Sequence, residues 1–140
     1  MSDPLYRKEI LRLAADAHGA GHLPGQHRTG TAHNPTCGDR VTFEVVTDAS
    51  GRIQAVAHET KACVLAQASA SILGRDAKDL SRADVAELRA AVTAMLKEGA
   101  AVPGQPFSDY AAFDGVTGYP NRHSCVLLPI EALLAALDAN

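Results

Sequence analysis

Residues 40–59, RVTFEVVTDASGRIQAVAHE, contain two short segments in which apolar and polar residues alternate. This alternation predicts β-strands over Arg40–Thr47 and Ile53–Glu59, because successive side chains of a strand point to opposite faces. Residues 48–52 between them are rich in Asp, Ser and Gly, which supply the geometry of a turn. We therefore predict an antiparallel hairpin with one buried face. In its second strand the predicted inward residues are Ile53, Ala55 and Ala57, and the outward ones are Gln54 and His58.

Two helices are predicted to follow the hairpin. Val64–Leu73 carries apolar residues at helical spacing, and Gly74 is a natural stop. Ser81 opens the sequence SRAD, which is typical of a capping box, and an apolar stripe continues from there to Gly99. Cys63 is therefore predicted to lie where a strand gives way to a helix.

A helix is also predicted at each end of the chain. Pro4 suits a first helical turn, and the pattern that it opens ends near Gly19. The last predicted helix spans residues 124–139, with Pro129 acceptable only within or near its first turn. The predicted fold class is α+β: a small antiparallel β-sheet packed against helices on one face, in one domain spanning residues 1–140.

Two long segments show neither a helical nor a strand period. Residues 18–34 contain four Gly and four His, which predicts a long loop with solvent-exposed histidines. Residues 100–120 contain three Pro and three Gly, which predicts an irregular segment anchored by aromatic rings. Those rings belong to Phe107, Tyr110, Phe113 and Tyr119.

Composition excludes several classes of function. The chain has 140 residues, of which 46% are hydrophobic and 4% aromatic, with no Trp, so platforms for base stacking are not expected. Thirteen Lys and Arg against sixteen Asp and Glu give a net charge of −3, which offers no basic footprint for nucleic acid or an anionic membrane. No apolar run is long enough to cross a bilayer, and no secretory signal opens the chain. We expect a cytoplasmic protein without nucleic acid or membrane partners.

The three cysteines share one kind of position, because each is predicted at the end of an element. Cys37 precedes a strand, Cys63 precedes a helix, and Cys125 lies where a loop enters a helix, where free N–H groups favour thiolate. No pair forms a C-x-x-C knuckle. Asp39 follows Cys37 after Gly38, whose freedom permits a tight bend that would aim thiol and carboxylate at one point. A Cys3Asp set suits a tetrahedral divalent metal, although inert buried cysteines remain the alternative.

Three segments together carry a resemblance to a known family: NPTCGDRV (34–41), KACVLAQASAS (61–71) and NRHSCVLLP (121–129). The sequence resembles the U-type iron–sulfur cluster assembly family, comprising IscU, SufU and the N-terminal domain of NifU, over nearly its whole length. The long interval between Cys63 and Cys125, and Arg122 before the latter, resemble the SufU branch. Ser124 stands where IscU-like chains usually have His, and their Leu-Pro-Pro-Val-Lys chaperone-binding segment is missing. Ala62 stands where the family commonly has glycine.

This resemblance implies a SufE/NifU-like fold in which Cys37, Asp39, Cys63 and Cys125 converge at one exposed end. They would bind zinc, or alternatively iron or a transient [2Fe-2S] cluster. The implied partners are a cysteine desulfurase and iron–sulfur acceptor or Suf-type assembly proteins. The catalytic residues would be Cys37 and Cys125, either of which could receive persulfide sulfur.

Three functions remain open at this point. The chain could be a zinc-dependent sulfurtransferase, a non-enzymatic scaffold for a [2Fe-2S] cluster, or a purely structural zinc protein. Three thiolates and one carboxylate around a divalent ion leave a net charge of −2, and Arg40, Lys61 and Arg122 are the predicted neighbouring cations. A carboxylate binds iron or zinc less tightly than a thiolate, so Asp39 should keep the site labile.

Overall fold

The computed structural model describes residues 7–34 and 38–139, and it confirms the predicted α+β class. Three strands form one antiparallel sheet in the order β1-β2-β3, with the helices of the core packed against one face. The strands are β1 (Arg28–Asn34), β2 (Asp39–Thr47) and β3 (Ile53–Lys61). The α-helices are α1 (Lys8–Asp16), α2 (Val64–Asp76), α3 (Arg82–Glu98) and α4 (His123–Asp138), and 3₁₀ segments span Ser108–Gly118 and Pro120–Arg122.

Strand β1 corrects the prediction of a loop over residues 18–34. Its sequence, RTGTAHN, contains few large apolar residues and gives no clear alternation, so it does not look like a strand. The cause lies in helix α4, which crosses the strand at Gly30. A Cβ atom on Gly30 would lie 2.0 Å from the backbone nitrogen of Ala136, so only glycine fits. The loop prediction holds for the connection before Arg28.

Beyond Ile53, the side chains of β3 point to the opposite faces of the sheet from those predicted. Thr47 pairs with Ile53 while Val46 pairs with Ala55, which leaves one extra residue in β3 as a bulge. The bulge exchanges the two faces, so that His58 pairs with Phe43 on the core side. His58 is 4% exposed, and the two rings lie 5.3 Å apart between centroids.

Helix α2 continues beyond the stop predicted at Gly74 and ends at Asp76. Gly74 serves close packing instead, since a Cβ atom there would lie 1.9 Å from the carbonyl oxygen of His18. The predicted start of the first helix lies outside the described residues. Helix α1 ends at Asp16, followed by Ala17 in the left-handed conformation, slightly before the predicted Gly19.

The capping box of α3 is confirmed. The Ser81 hydroxyl accepts the N–H of Asp84 at 3.2 Å, the Asp84 carboxylate accepts the N–H of Ser81 at 3.0 Å, and Gly99 ends the helix in the left-handed conformation. Over the described part of the chain, none of the helices has the length and apolar character needed to cross a membrane.

Helix α4 begins at His123, one residue before the predicted start, and Pro129 lies near the first turn as expected, within the second. Proline has no N–H to donate to the carbonyl four residues earlier, which belongs to Cys125. In the segment before α4, Phe107, Tyr110 and Phe113 are buried as expected, whereas Tyr119 is 39% exposed.

Candidate metal and sulfur site

Three of the four predicted ligands meet at one end of the sheet. Asp39 is the first residue of β2, Cys63 immediately precedes α2, and Cys125 is the third residue of α4. One carboxylate oxygen and the two sulfur atoms all lie within 4.8 Å of one another. The fourth predicted ligand, Cys37, lies outside the described residues.

The connections of the fold explain why these residues meet. Strand β3 runs antiparallel to β2, so its end at Lys61 reaches the start of β2, and Cys63 follows two residues later. Helix α4 is held to the same end by a hydrogen bond from the Asn34 side chain to the Ser124 hydroxyl, at 3.0 Å. Asn34 is the β1 partner of Asp39, so this bond aligns the start of α4 with the carboxylate.

Cys63 is half-buried and favours the thiolate form. The Cys125 thiol donates a hydrogen bond to its sulfur, and the backbone N–H groups of Ala66 and Leu65 also donate to it. These bonds stabilise the anion more than partial burial opposes it, and they lower the pKa of Cys63 to about 6. Cys63 is therefore mostly ionised at neutral pH.

Cys125 has the opposite character. The residue is 1% exposed, and its thiol has two neighbouring acceptors, the sulfur of Cys63 and Oδ2 of Asp39, the latter 3.8 Å from Sγ. The bond to Cys63, burial and the two neighbouring negative charges raise the pKa of Cys125, while a hydrogen bond from Arg122 opposes them. Of the two thiols, Cys63 therefore ionises first, and Cys125 keeps its proton to higher pH.

Comparison with known families agrees with this geometry. The sequence matches the family described as the NifU-like N-terminal domain over residues 5–126, which is most of the chain. The chain belongs to this family. The resemblance to the U-type assembly family is therefore confirmed, and the relationship extends to iron–sulfur cluster assembly scaffolds. None of the curated protein sequences matches the chain.

Two solved structures show how far the likeness of this NifU-like domain extends. The N-terminal part of a nitrogen-fixing NifU-like protein from Brucella abortus is 32% identical, with a TM-score of 0.89 over 96% of this chain and 93% of that one. A candidate iron–sulfur cluster assembly scaffold protein for the SUF system of Fervidobacterium islandicum AW-1 is 25% identical, with a TM-score of 0.85 over 99% of this chain and 100% of that one. The fold is thus shared over essentially the full length.

The donor atoms of the NifU-like site fit a single tetrahedral ion. Zinc holds thiolate sulfur at about 2.3 Å, so two sulfur ligands of one ion lie about 3.8 Å apart. The described ligand atoms already lie within 4.8 Å of one another, and the Cys125 sulfur is 3.8 Å from the Asp39 oxygen. Two sulfurs and one oxygen leave one position of a tetrahedron for a further ligand.

Of the three cations predicted near the ligands, Arg122 hydrogen-bonds to Cys125. Arg40 follows Asp39 in β2 and pairs with Lys61 in β3, so both side chains are directed to the face opposite the Asp39 carboxylate. Lys61 instead forms an ion pair with Glu59, at 3.5 Å. Of these three cations, Arg122 is thus the one whose contact with a ligand is seen among the described residues.

His123 lies two residues before Cys125, and the sequence leaves open whether it is exposed or supports the site. Its ring is 7% exposed, and Nε2 lies 3.1 Å and 3.2 Å from the carbonyl oxygens of Val116 and Thr117. These contacts attach the first residue of α4 to the end of the 3₁₀ segment. No sequence signal distinguishes this histidine from an exposed one, because both carbonyls belong to the backbone.

Proposed function

We propose that this NifU-like domain accepts sulfur from a cysteine desulfurase at a zinc-containing site formed by Cys37, Asp39, Cys63 and Cys125, for cytoplasmic iron–sulfur cluster assembly. The observation that carries the proposal is the convergence of a carboxylate and two thiols from β2, the β3–α2 junction and α4. The likeness to a candidate scaffold of a SUF system supports the SufU branch.

The described ligands suit zinc because they combine two soft sulfur donors with one carboxylate, without a histidine among them. When bound, zinc would keep the thiolates deprotonated and would gather them at one point. Cys63 is already poised for this, since its pKa is near 6, whereas Cys125 must release its proton on binding. The carboxylate of Asp39 is the weakest donor and the one that we expect to dissociate first.

The proposed sulfur transfer is redox-neutral. A thiolate of this chain attacks the outer sulfur of a persulfide on the desulfurase, so that one S–S bond forms as another breaks and the desulfurase cysteine leaves as a thiolate. The product is a persulfide on this chain, which then passes sulfur to an iron–sulfur acceptor or a Suf-type assembly protein.

We assign Cys37 as the accepting residue and Cys63 and Cys125 as the thiolates that hold the site. Cys125, the other catalytic candidate, is 1% exposed, so a persulfide on a partner protein could not approach its sulfur without movement of α4 or its neighbours. Cys63 is more accessible, but it is bound by the N–H groups of α2, which lower its nucleophilicity together with its pKa.

A scaffold for a transient [2Fe-2S] cluster is the second candidate function. The same ligand group supports it, because thiolates bind iron in such clusters and a carboxylate would make the cluster easy to release. In that case the cluster is the cargo of the protein, and the domain would have no enzymatic turnover.

Purification without oxygen, followed by assay of zinc, iron and acid-labile sulfide, separates the two functions. One zinc per chain, no sulfide and a stimulation of desulfurase that is lost on Cys37→Ser would support sulfur acceptance. Equal amounts of iron and sulfide, held longer by Asp39→Ala, would make the domain a scaffold. Asp16→Ala, at the exposed end of α1, is the matched control and should behave as the native chain.

A further inference from the structure

The distance between the two described thiols depends on how helices α2 and α4 are fixed to each other. Cys63 is attached to the start of α2 and Cys125 to the first turn of α4, so a slide of one helix along the other changes their separation directly. Apolar packing between the helices is non-directional and tolerates small slides. A directional contact close to Cys125 would remove this freedom.

Such a contact joins the helices in the core. Ser69 of α2 is fully buried, and its hydroxyl donates a hydrogen bond of 2.7 Å to the carbonyl oxygen of Val126, the residue after Cys125. The hydroxyl of Tyr110, also fully buried, lies 2.9 Å from the Ser69 oxygen. Buried serine in a helix commonly bonds to a carbonyl of its own helix, so a bond to a different helix is specific to this packing.

The direction of both bonds follows from the chemistry of the groups. A carbonyl oxygen can only accept, so the single proton of Ser69 is committed to Val126. The Tyr110 hydroxyl must then donate to the Ser69 oxygen, which gives a chain from Tyr110 through Ser69 to Val126. Each bond in such a chain polarises the next, which strengthens the final link to α4.

Helix α4 needs an outside contact at this turn. Pro129 cannot donate the hydrogen bond that the Cys125 carbonyl would otherwise receive, so the helix lacks one internal bond at the residue that carries the thiol. The Ser69 hydroxyl binds the very next carbonyl, at Val126. The hydrogen bond from Ser69 therefore stabilises α4 at the turn that lacks one of its internal hydrogen bonds.

We propose that Ser69, supported by Tyr110, is a positioning residue that sets the separation of the Cys63 and Cys125 sulfurs by fixing α4 to α2. The inference deepens the proposed function, because the same pair of sulfurs would hold the metal. Neither side chain is proposed as a ligand, since the Ser69 hydroxyl bonds to the Val126 carbonyl and the Tyr110 hydroxyl bonds to Ser69.

The test measures the thiol pair directly, without metal or desulfurase. In full-length Cys37→Ser protein, only Cys63 and Cys125 can form a disulfide, and equilibration with reduced and oxidised glutathione gives their effective concentration. Ser69→Ala should lower this value about tenfold, because the pair spends less time at bonding distance. Tyr110→Phe keeps the Ser69–Val126 bond and should lower it about threefold.

Ser71→Ala provides the matched control. Ser71 is a buried serine two residues along the same helix, but its hydroxyl accepts the backbone N–H of His18, and the described hydrogen bonds include none between it and α4. It should reduce thermal stability about as much as Ser69→Ala while leaving the effective concentration within twofold. Equal effects of Ser69→Ala and Ser71→Ala on the thiol pair would overturn the proposal.

A second readout separates this proposal from the proposed function. Zinc affinity, measured by competition with a chelator on the chain with all three cysteines, should fall about tenfold in Ser69→Ala, as is common for residues that orient ligands. If no variant binds zinc but Ser69→Ala still lowers the effective concentration, the positioning role stands and the zinc function fails. If zinc binds and neither quantity responds to Ser69→Ala, the positioning role fails alone.

Discussion

The beginnings of α2 and α4 are alike in sequence terms and different in chemistry. Each places a cysteine at or near a helix N-terminus, where backbone N–H groups and the helix dipole favour an anion. Yet the pKa of Cys63 is lowered to about 6, while the pKa of Cys125 is raised. The difference comes from the immediate neighbours. Cys63 receives hydrogen bonds from Cys125 and the α2 backbone, whereas Cys125 donates one and is buried beside negative charges, which outweigh the hydrogen bond from Arg122. A helix N-terminus therefore does not by itself decide the charge of a thiol.

The largest effect is expected when one of the two cysteine ligands is removed. Cys63→Ala and Cys125→Ala should each weaken zinc binding by more than about 100-fold, beyond the usual effect of a residue that only supports a ligand. Asp39→Ala should weaken it less, because carboxylate is the poorer zinc donor. Chelator competition measures all three. Retention of native affinity by either cysteine variant would show that the converging sulfurs do not bind the ion together.

Alkylation should show the contrast directly. In metal-free Cys37→Ser protein at pH 7, iodoacetamide should modify Cys63 about 30-fold faster than Cys125, since only thiolate reacts and Cys125 is protonated and buried. The Cys63 rate should rise with pH through about 6 and then level off, because deprotonation is then complete. Peptide mass spectrometry assigns the sites. Equal rates would mean that the two helix ends are equivalent.

Removing the Cys125 thiol, which donates a hydrogen bond to Cys63, should bring the pKa of Cys63 closer to that of an ordinary thiol. Cys125→Ala deletes the hydrogen bond that contributes most to the lowered pKa of Cys63, so this pKa should rise. The alkylation rate at pH 6.5 should then fall at least about threefold. Cys125→Ser keeps a hydroxyl donor, so its alkylation rate at Cys63 should lie between those of the native chain and of Cys125→Ala. An unchanged profile in the Ala variant would assign the lowered pKa to the α2 backbone alone.

The smallest effect on the site is expected from a variant that lowers the stability of the fold without changing the zinc ligands. Ser81→Ala removes the capping box of α3, whose hydrogen bonds join Ser81 and Asp84, and should reduce the free energy of unfolding by about 1 kcal/mol. Zinc affinity should stay within twofold of native. Chemical denaturation and chelator competition on the same samples measure both. A parallel loss of affinity would mean that the sulfur separation follows global stability, and not the local contacts of α2 and α4.

Local chemistry determined a large part of this protein from its sequence. The β2–β3 hairpin, the capping box at Ser81 and the positions of Cys63 and Cys125 at helix starts all follow from short-range preferences, which residue type and spacing encode. The family resemblance added the ligand set, of which Asp39, Cys63 and Cys125 are indeed close together. Cys37 lies outside the described residues and stays a prediction.

Tertiary structure decided the remainder, because it depends on contacts between residues far apart in the chain. Strand β1 exists because α4 packs on Gly30. Gly74 allows the backbone of His18 to pack closely against α2 and does not end the helix. One bulge moved His58 from the expected solvent face to the core. The opposite pKa shifts of Cys63 and Cys125 have the same kind of cause. Burial and hydrogen-bond direction arise only when β2, α2 and α4 meet, so the residues next to either cysteine in the sequence do not predict them.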